Sequence, residues 1–181
     1  LLSAQAAQLE GDMVKARGYF REMLDRPETA FLGLRGLITY ALNDGDIDRA
    51  RKLSRKAYAI KPSSDWLSAT YYELLVRNGN WQEAENVASD ALKHKLIDAK
   101  QATRRQTMLL HSRALEAKAA GNSDDALRFA RKAAENDLDF SPAVVTAATL
   151  LTETGKQRRA TGLIEKAWGK YPHPSLVAPY L

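Results

Sequence analysis

The sequence contains no cysteine, which by counting alone removes disulfides, thiolate metal sites and cysteine nucleophiles from the chemistry open to it. Either redox environment fits that absence, so the compartment stays open. No apolar run approaches the roughly 18 residues needed to span a bilayer, and nothing resembles a signal peptide. A soluble chain is expected. Catalytic signatures are missing too. There is no phosphate-cradling glycine loop ending in Gly-Lys-Ser or Gly-Lys-Thr, no His-Glu-x-x-His, no nucleophile elbow and no dinucleotide fingerprint. No segment shows sustained strand alternation. The expectation is an all-α chain that is not an enzyme.

What the chain does have is the balance of a folded protein: of 181 residues, 45% are apolar and 27% charged, far from the profile of disorder. That length suits one ordinary domain or an array of repeats in which each unit packs on its neighbours. A net charge of +5 mildly favours acidic partners or an anionic membrane surface. The chain opens at Leu1 without a methionine, already inside a helical pattern, and closes at Leu181 as an apolar segment begins. A piece of a longer protein is expected, with 173–181 starting a further helix.

Five glycines are each followed five residues later by an alanine: Gly11 and Ala16, Gly45 and Ala50, Gly79 and Ala84, Gly121 and Ala126, Gly155 and Ala160. The units recur at intervals of 34, 34, 42 and 34 residues. A period of 34 is that of the tetratricopeptide repeat, in which two antiparallel helices make one unit and successive units wind into a right-handed superhelix. The spacing predicts a single array over 1–181, with units of about 1–30, 31–64, 65–98, 99–140 and 141–172. Each glycine ends a first helix, because a left-handed residue there satisfies loose carbonyls without a Cβ clash. Asp12, Asp46, Asn80 and Asn122 follow four of these glycines and offer short oxygens to cap the second helix; Lys156 breaks the pattern in the fifth.

The alanine marks the closest approach of the two helices, and small or apolar residues recur four and seven positions later on the same face. The series are Ala16, Phe20, Met23; Ala50, Ser54, Ala57; Ala84, Ala88, Ala91; Ala126, Ala130, Ala133; and Ala160, Ile164, Ala167. Pro62 and Pro172 stop two of these helices. First helices supply the complementary face: Leu34, Leu37, Ile38 and Ala41; Tyr71, Tyr72 and Leu75; Leu110, Ala114 and Ala117; Val144, Ala147, Ala148 and Leu151. The long interval carries eight extra residues around Asp98 to Gln106. Strong helix formers fill Ala99 to Ala120, so the reading is a first helix lengthened by about two turns and capped by Asp98.

The stretch Pro27-Glu28-Thr29-Ala30-Phe31-Leu32-Gly33-Leu34-Arg35-Gly36-Leu37, with Ala16-Arg17-Gly18-Tyr19-Phe20 upstream, resembles the HemY-type tetratricopeptide proteins of proteobacteria. The inserted helix, with Arg104, Arg105 and Leu109-Leu110, is similar to that family too, and the likeness covers nearly the whole chain. The resemblance implies a bacterial inner-membrane protein linked to a late step of haem biosynthesis, with two transmembrane helices before Leu1 and a soluble repeat region after them. The side of the membrane is left open, with the cytoplasmic side favoured.

Asp44, Asp46 and Asp48 mimic the start of a calcium loop, but Arg49 and Arg55 stand where the glycine and the bidentate glutamate belong, so helix capping explains them better. The histidines His94, His111 and His173 are too far apart for one local metal motif. His94 falls near the end of a second helix, where an imidazole suits the dipole. His111 falls one turn into the first helix of the fourth unit, on the groove side, and is the one candidate haem ligand. Basic clusters at Arg49, Arg51, Lys52, Arg55 and Lys56, at Arg104 and Arg105, and at Lys156, Arg158 and Arg159 read as solvated faces, with anionic lipid as the next possibility. Their spacing shows no continuous stripe for nucleic acid.

The inner groove of such an array is lined by first-helix residues that do not pack between helices. These are Arg35, Thr39 and Asn43, then Trp66, Glu73 and Arg77, then Met108, His111 and Lys118. Trp66 can equally be packing. Mixed apolar and charged lining suits an extended peptide or a partner helix. The leading reading is a non-enzymatic scaffold holding partner proteins without a resident cofactor, and the HemY-type resemblance implies haem-pathway enzymes as those partners. Its alternatives are a haem or porphyrin carrier using His111 and, more distantly, a basic array binding anionic lipid or nucleic acid. Pairing of terminal faces in a homo-oligomer is left open.

Overall fold

The computed structural model describes residues 2–180, with side chains through Val177. Among the described residues there are helices and no strand. They fall into two compact units, 1–96 and 97–181. The first contains α1 (Leu2–Leu9), α2 (Met13–Glu22) continued by a 3₁₀ turn at Met23–Asp25, α3 (Pro27–Asn43), α4 (Ile47–Ile60), α5 (Asp65–Arg77) and α6 (Trp81–Lys93). The second contains α7 (Ala99–Ala119), α8 (Ser123–Asn136), α9 (Ser141–Glu153) and α10 (Gln157–Trp168). A 3₁₀ helix over Pro174–Tyr180 follows α10 where a further helix was expected to start; Leu1 and Leu181 lie outside the described residues. Helices pair as α1 with α2, α3 with α4, α5 with α6, α7 with α8 and α9 with α10.

The turn inside each pair has one construction. Gly11, Gly45, Gly79, Gly121 and Gly155 take φ values of 76°, 72°, 67°, 77° and 74°, a region that costs any other L-residue a Cβ clash. In the second pair the amide of Asp46 donates to the Ala41 carbonyl at 2.9 Å and that of Gly45 to Leu42 at 3.1 Å, which satisfies carbonyls the ended helix leaves over. The residue after each of the other four glycines repeats that return bond, to Ala7, Leu75, Ala117 and Leu151. Asp46 then accepts from the Arg49 amide at 3.0 Å, Asp12 from Lys15 at 3.0 Å and Asn122 from Asp125 at 3.2 Å. Asn80 departs from expectation: it occupies the N-cap of α6, but its side chain makes no capping bond. Lys156 at the N-cap of α10 makes none either, having no acceptor to offer.

One turn lacks the glycine. At the end of α6, Lys95 adopts φ 57° while the Leu96 amide returns to Ala91 at 2.9 Å. Replacing Lys95 by glycine relieves the left-handed penalty, and after the entropy glycine brings to the unfolded chain a net gain of about 0.5–1 kcal/mol is expected. The check is the shift in the urea midpoint of Lys95→Gly.

Packing follows the small-residue series. Ala50, Ala84, Ala126 and Ala160 are all buried, as are the residues four and seven positions on, from Ser54 and Ala57 to Ile164 and Ala167. First-helix residues from Leu34 to Leu151 meet them, with Ala117 only partly covered. Removing so much side-chain volume lets helices approach closely, and close approach brings more atoms into dispersion contact. The lengthened α7 starts as expected: Asp98 accepts from the Gln101 amide at 2.7 Å while the Gln101 side chain accepts from the Asp98 amide at 3.0 Å, a reciprocal capping box.

Candidate functional site

In the first unit, α3 and α5 carry six of the candidate residues. Arg35, Thr39 and Asn43 are exposed along α3, as are Glu73 and Arg77 along α5. The structure brings Arg35 and Trp66 together, with the guanidinium carbon 5.2 Å from the indole centroid. Trp66 is half-buried and also packs against the cluster of Leu34, Ile38, Ala57 and Leu67. It is therefore both core and platform: a rigid aromatic base over which a planar cation is held by the ring quadrupole. The Thr39 hydroxyl donates to the Arg35 carbonyl at 3.1 Å, so it can only accept from an incoming group. Asn43, Glu73 and Arg77 have no polar partner among the described residues; Glu73 and Arg77, four residues apart, offer both charge signs on one face of α5, and Asn43 offers an amide at the end of α3.

The second unit is built differently. Arg104 contacts Asp139 at 3.0 Å, His111 Nε2 lies 3.0 Å from Thr146 Oγ1, and Lys118 contacts Glu153 at 2.8 Å. These three rungs step by seven residues along α7 and along the stretch from Asp139, in the turn before α9, through Thr146 to Glu153 at its end, and every pair is separated by 35 residues, one more than the repeat. Seven residues are close to two helical turns, so the rungs line one edge of α7. Arg104 also meets Asp137 at 3.0 Å and lies 5.3 Å over the Phe140 ring, while the His111 ring makes a T-shaped contact with that same ring, centroids 5.5 Å apart. His111 and Lys118, expected to face a ligand, are thus cross-links between first helices. His111 sits in the second half of α7 rather than one turn from its start, because the helix is lengthened at its beginning.

Between the rungs α7 presents apolar side chains. Met108 stands between Arg104 and His111, and Leu115 between His111 and Lys118; they are 46% and 47% exposed, which leaves half of each side chain for something else to cover. Burial holds the His111 imidazole below its ordinary pKa, so it is neutral at pH 7 and its tautomer decides whether Nε2 donates to Thr146 or accepts from it. The other histidines serve locally. His94 ends α6, and His173 Nδ1 lies 2.7 Å from the Ser175 hydroxyl.

The remaining sequence candidates disperse. Asp44 pairs with Arg17 at 2.8 Å, Asp46 caps α4 and Asp48 pairs with Arg51 at 3.5 Å; among the described residues no three acidic or histidine groups converge on a metal position. Of the α4 cations, Arg55 reaches Glu83 at 3.4 Å. Of the α7 pair, Arg104 is committed to the ladder. Sequence reasoning missed the ladder's other half, Asp137, Asp139, Phe140, Thr146 and Glu153, although the signal was present as chemically matched residues 35 apart.

A tetratricopeptide-repeat family model matches residues 41–102. With five identical left-handed turns and helix pairs on both sides of that segment, the observation extends beyond the match. The fold is that of tetratricopeptide repeats. Two solved structures share it: YrrB, described as a TPR protein with an unusual peptide-binding site, at 17% identity and TM-score 0.55 over 98% of this chain and 89% of that one; and MamA protein, at 15% identity and TM-score 0.51 over 93% of this chain and 87% of that one. At such identities the likeness concerns the tetratricopeptide fold. No curated protein matches the sequence significantly.

Proposed function

We propose that this chain is a non-enzymatic scaffold whose first-helix faces hold segments of partner proteins. The observation that carries the reading is the exposed Met108 and Leu115 on α7, large apolar side chains at seven-residue spacing that the core does not use, flanked by charges already neutralised in the ladder. Such anchors concentrate binding energy when a partner covers them. The Arg35–Trp66 platform with Asn43, Glu73 and Arg77 gives the first unit a more polar counterpart. That YrrB carries a peptide-binding site supports peptide recognition by this fold. From the resemblance to HemY-type proteins, the partners are haem-pathway enzymes and the full protein is tethered to the bacterial inner membrane.

The test is co-purification from bacterial membranes, quantified by mass spectrometry, for the unaltered chain, for Arg35→Ala with Arg77→Ala, and for Met108→Asp with Leu115→Asp. Partners should fall at least about tenfold with the second pair, which buries charge where apolar contact was made. Equal recovery in all three, with helicity unchanged, would remove these faces from the function. A haem titration separates scaffold from carrier. The carrier reading needs a Soret shift that His111→Ala abolishes, and the scaffold reading expects none, His111 Nε2 being held against Thr146.

A further inference from the structure

The turns at Gly45 and Gly79 share a template, but only the first of the two has an acid in front of its glycine. Asp44 is held there by Arg17 of α2 at 2.8 Å. One repeat on, the corresponding residues are Asn78 and Arg51 of α4, each 34 positions further along the chain. Their surroundings correspond as well: α4 packs on α5 as α2 packs on α3. Ala16 and Tyr40, near the first pair, share one buried cluster, and Ala50 and Leu74, near the second, share another. Both arginine side chains are largely covered, 30% and 26% exposed, and both bury an Nε that has no hydrogen-bond partner. Arg51 is therefore posed for a carboxylate where the chain has a neutral amide. It reaches Asp48 of its own helix instead, at 3.5 Å.

That amide sits in the one asparagine-glycine pair of the sequence. Glycine has no Cβ, so its amide nitrogen approaches the preceding side chain without hindrance. In such a pair the glycine nitrogen attacks Cγ, the new C–N bond closes a five-membered succinimide, and ammonia leaves with the nitrogen's proton. Water then opens the ring. Breaking the bond to Cγ yields aspartate, and breaking the bond to the main-chain carbonyl carbon yields isoaspartate; either way one water is consumed and one ammonia released. The closed turn opposes the attack. Asn78 holds ψ at 7°, which eclipses the Gly79 nitrogen with the residue's own nitrogen and leaves it roughly 120° of rotation from Cβ. The Gly79 amide donates to the Val76 carbonyl at 3.2 Å, and the Asn78 side-chain amide donates to the Leu74 carbonyl at 2.8 Å. Reaction needs the turn to open, and Asn80 gives α6 no side-chain cap to keep it shut.

We propose that Asn78 is a self-modifying site: when the Gly79 turn opens it loses ammonia by attack of its neighbour, and the aspartate formed is taken up by Arg51 as Asp44 is by Arg17. Before the step the turn is secured on one side only. After it, an ion pair ties α4 to the end of α5, so the modified turn opens less often. Isoaspartate cannot play this part, because it routes the main chain through Cβ and leaves the carboxylate directly on Cα, out of register with Arg51. The step needs no partner protein and no enzyme. It is independent of what the first-helix faces hold, so Met108→Asp with Leu115→Asp should leave it intact.

The experiment incubates the purified chain at mildly alkaline pH beside a synthetic peptide copying Leu74 to Glu83. Mass spectrometry with electron-transfer fragmentation maps both and separates aspartate from isoaspartate. The peptide should deamidate at Asn78, and the folded chain should do so at least about tenfold more slowly. Tyr71→Phe removes the hydroxyl that ties α5 to Glu83 of α6, and should speed the chain's reaction by about fivefold or more. Asn78→Gln should abolish it. A second arm reads hydrogen exchange of the Asn80 and Trp81 amides by NMR. Asn78→Asp should slow that exchange about threefold more in the unaltered background than in Arg51→Gln, and salt at about 500 mM should shrink the difference. Equal rates in peptide and chain, deamidation at Asn43 or Asn122 as fast as at Asn78, isoaspartate as the sole product of the folded chain, or an Asn78→Asp effect indifferent to Arg51 would overturn the proposal.

Discussion

Alanine at Gly33 should destabilise the first unit by about 1–3 kcal/mol, although alanine is the better helix former. A Cβ there would stand 2.6 Å from the Phe20 carbonyl oxygen and 3.0 Å from the Met23 Cβ, positions fixed by backbone. Gly36 meets the same neighbour through different atoms: its Cβ would lie 2.5 Å from the Phe20 ring. The two glycines therefore predict different responses to one companion change. Phe20→Leu should recover much of the Gly36→Ala loss and little of the Gly33→Ala loss, as read from urea midpoints in a double-mutant cycle. Gly18 and Gly162 are the controls, since a Cβ at either meets nothing within 4 Å. Alanine there should be neutral or stabilising by up to about 1 kcal/mol. If all four glycines respond alike, the close approach of α3 to the end of α2 is not what holds this unit together.

Tyr71→Ala should cost more, about 3–5 kcal/mol, because Tyr71 is the largest of the fully buried side chains and its removal leaves a cavity. Tyr71→Phe isolates the hydroxyl, which donates to Glu83 at 2.6 Å; about 1–2 kcal/mol should go with it. Tyr58 packs beside it at 5.5 Å and donates to Asp90 at 3.2 Å. Burial, aided by those carboxylates, pushes the Tyr58 phenol up to about 12 and Tyr71 higher still. In the unfolded chain a phenol ionises near pH ~10. Below that pH both states hold the proton and the linkage is silent; above it only the unfolded chain releases protons, so stability falls as pH rises beyond about 10. Urea midpoints measured at pH 8 and pH 11 should diverge for the unaltered chain, and the gap should narrow in Tyr58→Phe with Tyr71→Phe. An unchanged gap would assign alkaline loss to other groups.

The helix pairs were legible because their markers have few substitutes. Only glycine takes a left-handed turn without penalty, and only a small residue permits the approach seen at Ala50, Ala84, Ala126 and Ala160, so both recur where geometry demands them. The lengthened α7 was legible for a similar reason, Asp98 and Gln101 forming a local motif. Long-range chemistry was harder to read. Lys118 carries the same charge whether it faces a ligand or Glu153, and sequence spacing does not decide between them without the register of α7 on α9. Trp66 shows why a choice between core and site is sometimes false: the same ring packs against the Leu34 and Leu67 cluster and holds Arg35. Asn80 has the right chemistry at the right position, yet its side chain makes no capping bond, and nothing in the structure explains why. The 3₁₀ helix over Pro174–Tyr180, which packs on α9, is a segment that no repeat period announces.

Asp12, Asp46 and Asn122 have a shared economy of design: a single residue closes one helix with its amide and opens the next with its side chain. Neither arm of such a hairpin can fray at the bend without loosening the other. The five bends should accordingly exchange amide hydrogens as joints, each in step with both its helices, and the joints at Asn80 and Lys156, secured on one side only, should be the first to open.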